Sequence, residues 1–174
     1  MEEVILVDSK DNNIGKMEKL EAHKQGQLHR AFSVLLFNDK GEMLLQKRAD
    51  SKYHSPGLWT NTCCSHPRPD EDTQDAAERR LKEEMGIHLR PEFVYKFIYK
   101  TQLDNELTEH EYDHVYIGEY NDTPTLAPEE ASDWKFMSMH ELKEDVNHYP
   151  DNYTVWFKII LESIDRHIHT LNLS

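Results

Sequence analysis

Three histidines, a pair of glutamates and two adjacent cysteines are the residues of this chain best equipped for chemistry. His23 and His29 flank a glycine-containing turn, His66 follows Cys64 after one residue, and Glu109 and Glu111 bracket His110. A neutral imidazole offers a lone pair near pH 7, and carboxylates at i and i+2 project to one face of a strand. If they converge, three imidazoles and two carboxylates suit a divalent ion such as Zn²⁺, Mn²⁺ or Mg²⁺. Spacing alone does not force them together, because most histidines and acidic runs are simply solvated or hydrogen-bonded. The cysteines, Cys63 and Cys64, cannot bridge each other: neighbouring Cα atoms lie about 3.8 Å apart, below the disulfide minimum of about 4.4 Å. A thiol in such a chain is either packing or chemistry. A third pattern is Arg79-Arg80-Leu81-Lys82-Glu83-Glu84, in which Arg80 and Glu84 share a helix face, as do Arg79 and Glu83. Ordinary i,i+4 ion pairing accounts for that spacing without any ligand.

Composition limits what these groups can act on. The chain has 174 residues, 37% hydrophobic and 30% charged, a size and balance that fit one globular domain spanning residues 1–174. Its 20 Lys and Arg face 33 Asp and Glu, a formal net charge of -13, which argues against a nucleic-acid or membrane partner. A small anion remains open to it, since a local cation cluster dominates within a Debye length of about 8 Å. Apolar runs of four residues, such as Val34 to Phe37, are far short of the roughly 20 residues that span a bilayer, and residues 1–4 carry no signal-peptide pattern. A cytoplasmic location is expected.

The elements that must hold these side chains follow from patterning. Glu3 to Asp8 reads as a strand, with Asp11-Asn12-Asn13 turning it into a hairpin. Ala31 to Asn38 and Met43 to Lys47 are two further strands around Asp39-Lys40-Gly41. Residues Ala49 to Pro69 lack either period and read as one long loop carrying Trp59, both cysteines and His66, and loops of that length are often functional. A helix capped by Asp72 or Thr73 runs to Met85, with Gly86 as its left-handed stop and Ala77, Leu81 and Met85 on its buried face. Phe93 to Leu103 and Tyr112 to Tyr120 read as strands. Ser138 to Glu141 is a capping box opening a short helix, and Tyr153, Trp156, Phe157, Ile160, Leu161, Ile164 and Ile168 form the stripe of a last one. Three helices among many strands imply an α/β (α+β mixed) fold, a mixed sheet sandwiched between helices.

From Ser65 through Glu71, Arg79, Leu81, Glu83 and Glu84 to Gly86 and Ile87, the spacing resembles the Nudix box, a loop-helix-loop that binds a metal-complexed diphosphate. Two positions depart from it: Ser65 stands in place of a Gly, and Arg80 in place of a Glu tied to hydrolysis. The same departures resemble those of the type 1 isopentenyl diphosphate isomerases, a Nudix-fold branch whose signature matches Thr60-Asn-Thr-Cys-Cys-Ser-His-Pro67 in full. Glu18-Lys19, His23, His29-Arg-Ala-Phe-Ser33, Arg48, Lys52, Pro56-Gly-Leu-Trp-Thr60, Tyr99 and Glu109-His-Glu111 match as well, so the likeness runs from Val4 to about Ile164.

The resemblance implies that His23, His29, His66, Glu109 and Glu111 ligate one divalent ion, and that Glu84 holds a Mg²⁺ bound to the substrate's diphosphate. It implies Cys64 and Glu111 as the acid/base pair with Tyr99 assisting. Lys19, Arg48, Lys52 and Arg80 would contact the diphosphate, and Trp156 would lie beside the reacting carbon. Cys63 keeps a packing role. The implied activity interconverts isopentenyl and dimethylallyl diphosphate without flavin, in a monomer or weak homodimer; which of Cys64 and Glu111 protonates first stays open. The alternatives are a diphosphate hydrolase of the same fold, which Arg80 disfavours, and a non-catalytic metal-binding module.

Overall fold

The structure, a computed structural model, describes residues 1–167. Its elements run β1 (Glu3–Val7), β2 (Asn13–Glu18), α1 (Lys19–Gln25), β3 (His29–Phe37), β4 (Met43–Arg48), β5 (Trp59–Thr60), β6 (Cys63–Ser65) and α2 (Thr73–Met85). They continue as β7 (Glu92–Gln102), β8 (Thr108–Glu119), β9 (Ala131–Met137), α3 (Met139–His148), a 3₁₀ turn (Pro150–Asn152) and α4 (Val155–Arg166). Among the described residues no helix is long and apolar enough to cross a membrane.

Strand β3 organises the sheet. One edge pairs in parallel with β8 along its whole length, from His29 opposite Glu111 to Phe37 opposite Glu119. A strand has only two edges, so its other partners share the second one. Antiparallel β1 meets it at His29, β6 at Phe32 to Val34, and β4 at Phe37. Strand β7 extends the sheet beyond β8, and β9 pairs with β4.

Side chains alternate across the sheet. Phe32, Val34 and Leu36 pack with Ala76, Ala77, Leu81 and Met85 of α2. Leu35 and Phe37 pack on the opposite face with Leu142 of α3 and with Trp156, Phe157, Ile160 and Ile164 of α4. Burial on both faces is why Val34 to Phe37 is uninterruptedly apolar. The mixed sheet between helices that the patterning predicts is the observed architecture.

Helix α2 begins and ends as expected: Asp72 accepts from the Asp75 amide, and Gly86 takes a φ of 65° with its N–H bonded to Leu81 and Lys82 carbonyls. Ser138 likewise caps α3. Two expectations need correction, and two elements were not expected. Residues 19–25 form a helix that patterning does not show, closed by Gly26 in the turn expected between His23 and His29; seven residues are too few for a periodic signal, and the cap is Glu18, an uncommon residue there. The stretch Ala49 to Pro69 contains β5 and β6, short strands that patterning cannot separate from loop. Strand β8 starts at Thr108, four residues before Tyr112; its first residues, Thr-Glu-His-Glu, are polar and show no apolar alternation. Strand β9 went unread, its sequence ASDWKFM being half-buried against β4. The last helix spans Val155–Arg166, and Ile168 lies outside the described residues.

A charge network pins the first hairpin to the sheet. Asp11, at φ 65°, accepts from Arg30 Nε at 2.9 Å, Lys96 Nζ at 3.0 Å and His114 Nε2 at 2.8 Å. Burial would push its carboxyl up, but the bonds from Lys96 and Arg30 and the nearness of His114 outweigh that and hold its pKa below 3.8. A lowered carboxylate pKa gives stability that is present above the unfolded value and lost as pH falls. Asp11→Asn, which tolerates the left-handed backbone, is expected to lower Tm by about 2–4 °C at pH 7. Thermal melts of both proteins should converge as the pH drops below 3.8.

Candidate active site

The histidines and glutamates of the sequence reading meet at the N-terminal end of β3, where β8, β6 and α1 converge. His29 starts β3, Glu109 and Glu111 share one face of β8, His23 comes from α1, and His66 follows β6. Their atoms face one another. His23 Nε2 lies 2.8 Å from Glu109 Oε1, and His66 Nε2 lies 2.9 Å from Glu111 Oε2. His29 Nε2 stands 3.4 Å from both carboxylates and 3.3 Å from His66 Nε2. Donor atoms of His23, His29, His66 and Glu109 all fall within 4.8 Å of one another.

This donor set fits a divalent ion. Two ring nitrogens 3.3 Å apart oppose their lone pairs unless a cation or proton lies between them. His29 Nδ1 lies 2.9 Å from the Gln27 carbonyl, which only accepts, so Nδ1 carries the ring proton and Nε2 is presented inward. Burial pushes the His29 pKa down, but hydrogen bonds to Glu109 and Glu111 outweigh it and raise it to about 10. Those two buried carboxylates thus draw a positive charge into their midst. The group has the hard and borderline N/O donors that Zn²⁺, Mn²⁺ and Mg²⁺ accept, and nothing in it selects among them.

Beside this cluster opens a cavity of about 540 Å³. Every candidate residue of the sequence reading except His29 contributes to its wall, and His29 is buried behind it. Cys64 and Trp156 are brought to one hollow by a specific contact: the Thr154 amide, at the start of α4, bonds to the Trp59 carbonyl of β5 at 3.0 Å. Burial pushes the Cys64 thiol up, so the sulfur keeps its proton at neutral pH; Asn61 Oδ1 lies 2.9 Å from it. Tyr99 donates to Glu111 Oε1 at 2.5 Å, and burial raises its hydroxyl pKa so that it stays a donor. Cys63, one residue from Cys64 and therefore on the other sheet face, is fully buried against α2 and lies 3.0 Å from Glu84 Oε2. Burial raises the Glu84 pKa.

Three of the four cations are held at the cavity wall by carboxylates. Lys19 pairs with Glu2 at 2.9 Å and Lys52 with Glu130 at 2.5 Å. Arg80 reaches Glu83 at 3.0 Å, Glu130 at 3.3 Å and Glu84 at 3.5 Å. Arg48 donates to the His54 and Ser55 carbonyls and lies 5.1 Å over the Trp156 ring. Arg79, by contrast, is engaged bidentately by Glu71 and serves the loop before α2. Lys19, Arg48, Lys52 and Arg80 thus gather four cationic groups on one wall in a chain of net charge -13.

Sequence reasoning missed several members of this wall. Glu130 sits in the connection before β9, and Glu2 near the start of the chain, where a lone acidic residue carries no signal. Behind the wall, fully buried Asn61 lies inside the matched octapeptide, but its contact with Cys64 is visible only in the fold. His54 is buried and neutral, its pKa driven down by burial and by Arg48 to about 3, and its ring meets Trp156 edge-on at 5.6 Å. Nothing in the sequence distinguishes it from the other histidines.

A family described as NUDIX domain matches residues 27–157, and the chain belongs to it. A crystal structure of a Deinococcus radiodurans protein superposes with a TM-score of 0.77 at 16% identity, covering 95% of this chain and 99% of that one, which shows the shared fold. The relatives are more specific. The chain is 47% identical over 163 residues to isopentenyl-diphosphate Delta-isomerase 2 of Aromatoleum aromaticum, covering 94% of this chain and 86% of the relative. It is 50% identical over 165 residues to the protein of that name from Photorhabdus laumondii, at 94% and 93% coverage. Within the Nudix class, the chain belongs to the isopentenyl-diphosphate Delta-isomerase family, a family of isomerases.

Proposed function

We propose that this chain, acting as one domain in the cytoplasm, reversibly converts isopentenyl diphosphate to dimethylallyl diphosphate and so supplies isoprenoid biosynthesis. The reading also takes it as a monomer or weak homodimer that needs no flavin, nucleic acid or membrane. The observation that carries it is a single cavity whose wall combines a thiol, a carboxylate beside a histidine cluster, an indole and several cations. Membership of the isomerase family supports the same conclusion.

The chemistry requires a proton to be added at the terminal CH₂ carbon and another to leave the methylene next to the C–O bond. The π electrons form the new C–H bond and leave a tertiary cation; the electrons of the broken methylene C–H bond then form the internal double bond. Cys64 and Glu111 are the two proton carriers, and because the reaction is reversible their roles exchange with direction. Tyr99, donating to Glu111, orients that carboxyl. Lys19, Arg48, Lys52 and Arg80 hold the diphosphate oxygens, with Glu84 directed to the same end. The Trp156 face stabilises the cation by an attraction worth about 2 kcal/mol when water is excluded. Exclusion matters further, since water would capture the cation. When bound, a Zn²⁺, Mn²⁺ or Mg²⁺ ion on His23, His29, His66, Glu109 and Glu111 would acidify a coordinated carboxyl, and a Mg²⁺ on Glu84 would neutralise phosphate charge.

The test is turnover of isopentenyl diphosphate with Mg²⁺ in D₂O followed by NMR. Dimethylallyl diphosphate carrying deuterium in a methyl group is the expected product. Release of inorganic phosphate or diphosphate with no such product would replace this reading by a hydrolase, and no reaction at all would overturn it.

A further inference from the structure

Behind Cys64 lies a buried polar pair that the acid/base chemistry does not use. Asp113 of β8 is completely buried, and its Oδ1 has no hydrogen-bond partner among the described residues. Its Oδ2 accepts from the Ser33 hydroxyl at 2.7 Å. Ser33 is itself buried and stands directly opposite Cys64 across the β3–β6 ladder, with Oγ 3.5 Å from Sγ. Buried polar groups are normally fully satisfied, so a lone carboxyl placed two residues from Glu111 on the same strand face calls for a reason.

The reason lies in what else touches the sulfur. Asn61 presents its Oδ1 to Sγ at 2.9 Å and cannot turn round: Nδ2 is committed to the Val34 carbonyl at 3.1 Å and the Cys63 carbonyl at 3.0 Å, and the Thr60 hydroxyl donates to Oδ1. An amide oxygen only accepts. It can receive the S–H of the resting thiol, but it offers nothing to the sulfur when the S–H bond breaks and the electron pair stays behind. A hydroxyl can do both: its one proton, given to Asp113 Oδ2 at rest, can turn to the sulfur when the S–H bond breaks. Of the two groups hydrogen-bonded to Sγ among the described residues, Ser33 alone can donate.

We propose that Ser33, anchored by Asp113, is a positioning residue for Cys64: the pair fixes the sulfur against the cavity and supplies the hydrogen bond that the Asn61 oxygen cannot. This rests on the reading of Cys64 as a proton carrier. Ser33 does not touch the substrate, so its effect belongs to the chemical step and not to binding.

The test is steady-state kinetics on Ser33→Ala and Asp113→Asn, with a second readout that does not depend on isomerase turnover. Ser33→Ala removes one oxygen and is expected to lower kcat at least tenfold with KM for isopentenyl diphosphate essentially unchanged, while Tm falls by a few degrees because Asp113 loses its hydrogen bond. Asp113→Asn keeps a hydrogen-bonding group of the same shape beside Ser33 and is expected to stay within about threefold of the parent. Independently, alkylation of Cys64 by iodoacetamide at fixed pH, mapped by mass spectrometry, should slow severalfold in Ser33→Ala. A Ser33→Ala variant with kcat within twofold of the parent and unchanged alkylation overturns the proposal; so does Asp113→Asn, folded, losing as much rate as Ser33→Ala. If the parent itself fails to turn over isopentenyl diphosphate, the functional reading falls, and the alkylation rates still decide whether Ser33 acts on the sulfur.

Discussion

Cys64→Ala and Glu111→Gln are each expected to lower kcat by about 10³-fold or more while leaving the fold intact. General acid/base groups contribute about 10²- to 10⁴-fold each, and this reaction needs both a donor and an acceptor, so neither loss is covered by the other. Alanine at 64 removes only a sulfur from the cavity wall, and no disulfide is lost because both cysteines are free. Glutamine at 111 keeps the shape and can still face the Tyr99 hydroxyl and His66, but it cannot carry the transferable proton. Turnover measured by NMR beside melting curves and metal content separates loss of chemistry from loss of structure. Near-parent kcat in either variant removes that residue from the mechanism. Cys63→Ala, on the opposite sheet face, is the internal comparison and should retain the proton-transfer chemistry.

Stripping divalent ions with a chelator is expected to reduce turnover to background and to lower Tm by roughly 5–10 °C. The stability figure follows from linkage: an ion held at about 100 times its Kd adds about 2.7 kcal/mol, and each kcal/mol moves a domain of this size by about 2–4 °C. Glu109 and Glu111 are both buried within a few ångströms of three imidazoles, so the empty cluster must leave carboxylate charge balanced by protons alone. Burial alone would raise the Glu109 pKa, but hydrogen bonds from His23 and His29 more than offset it and hold the carboxyl ionised. Readdition of Zn²⁺, Mn²⁺ and Mg²⁺ one at a time, with metal content measured, identifies which ion restores both properties. Full activity in metal-free protein would show the cluster to be dispensable.

The parts of the fold that were legible are those where a local rule has no competitor. Asp72, Thr73 and Gly86 bracket α2 because a cap and a left-handed stop act within a few residues. The apolar run Val34 to Phe37 announces a strand covered on both faces. Helix α1 was invisible because its stability comes from contacts with β8, β2 and β1 rather than from seven residues of propensity. Strands β5 and β6 exist because β4 and β3 offer them edges, and a two- or three-residue strand has no period of its own. Lys19 and His23, carried by α1, are legible as site residues through the family resemblance although the helix that holds them is not.

The chain's residue order alone established the ingredients: which side chains are imidazoles, thiols and carboxylates, the i,i+2 spacing that puts Glu109 and Glu111 on one face, and the family signature around Cys64. It left undecided whether His23, His29 and His66 meet, since they are separated by up to 43 positions and no local rule reaches that far. The parallel pairing of β3 with β8 and the docking of β6 on the remaining edge of β3 brought them within 4.8 Å of Glu109 and of each other. The same pairing set Ser33 opposite Cys64 and put Asp113 behind it. Long-range strand register is a property of the whole packed sheet, and so the identity of the groups was readable along the chain while their distances were not.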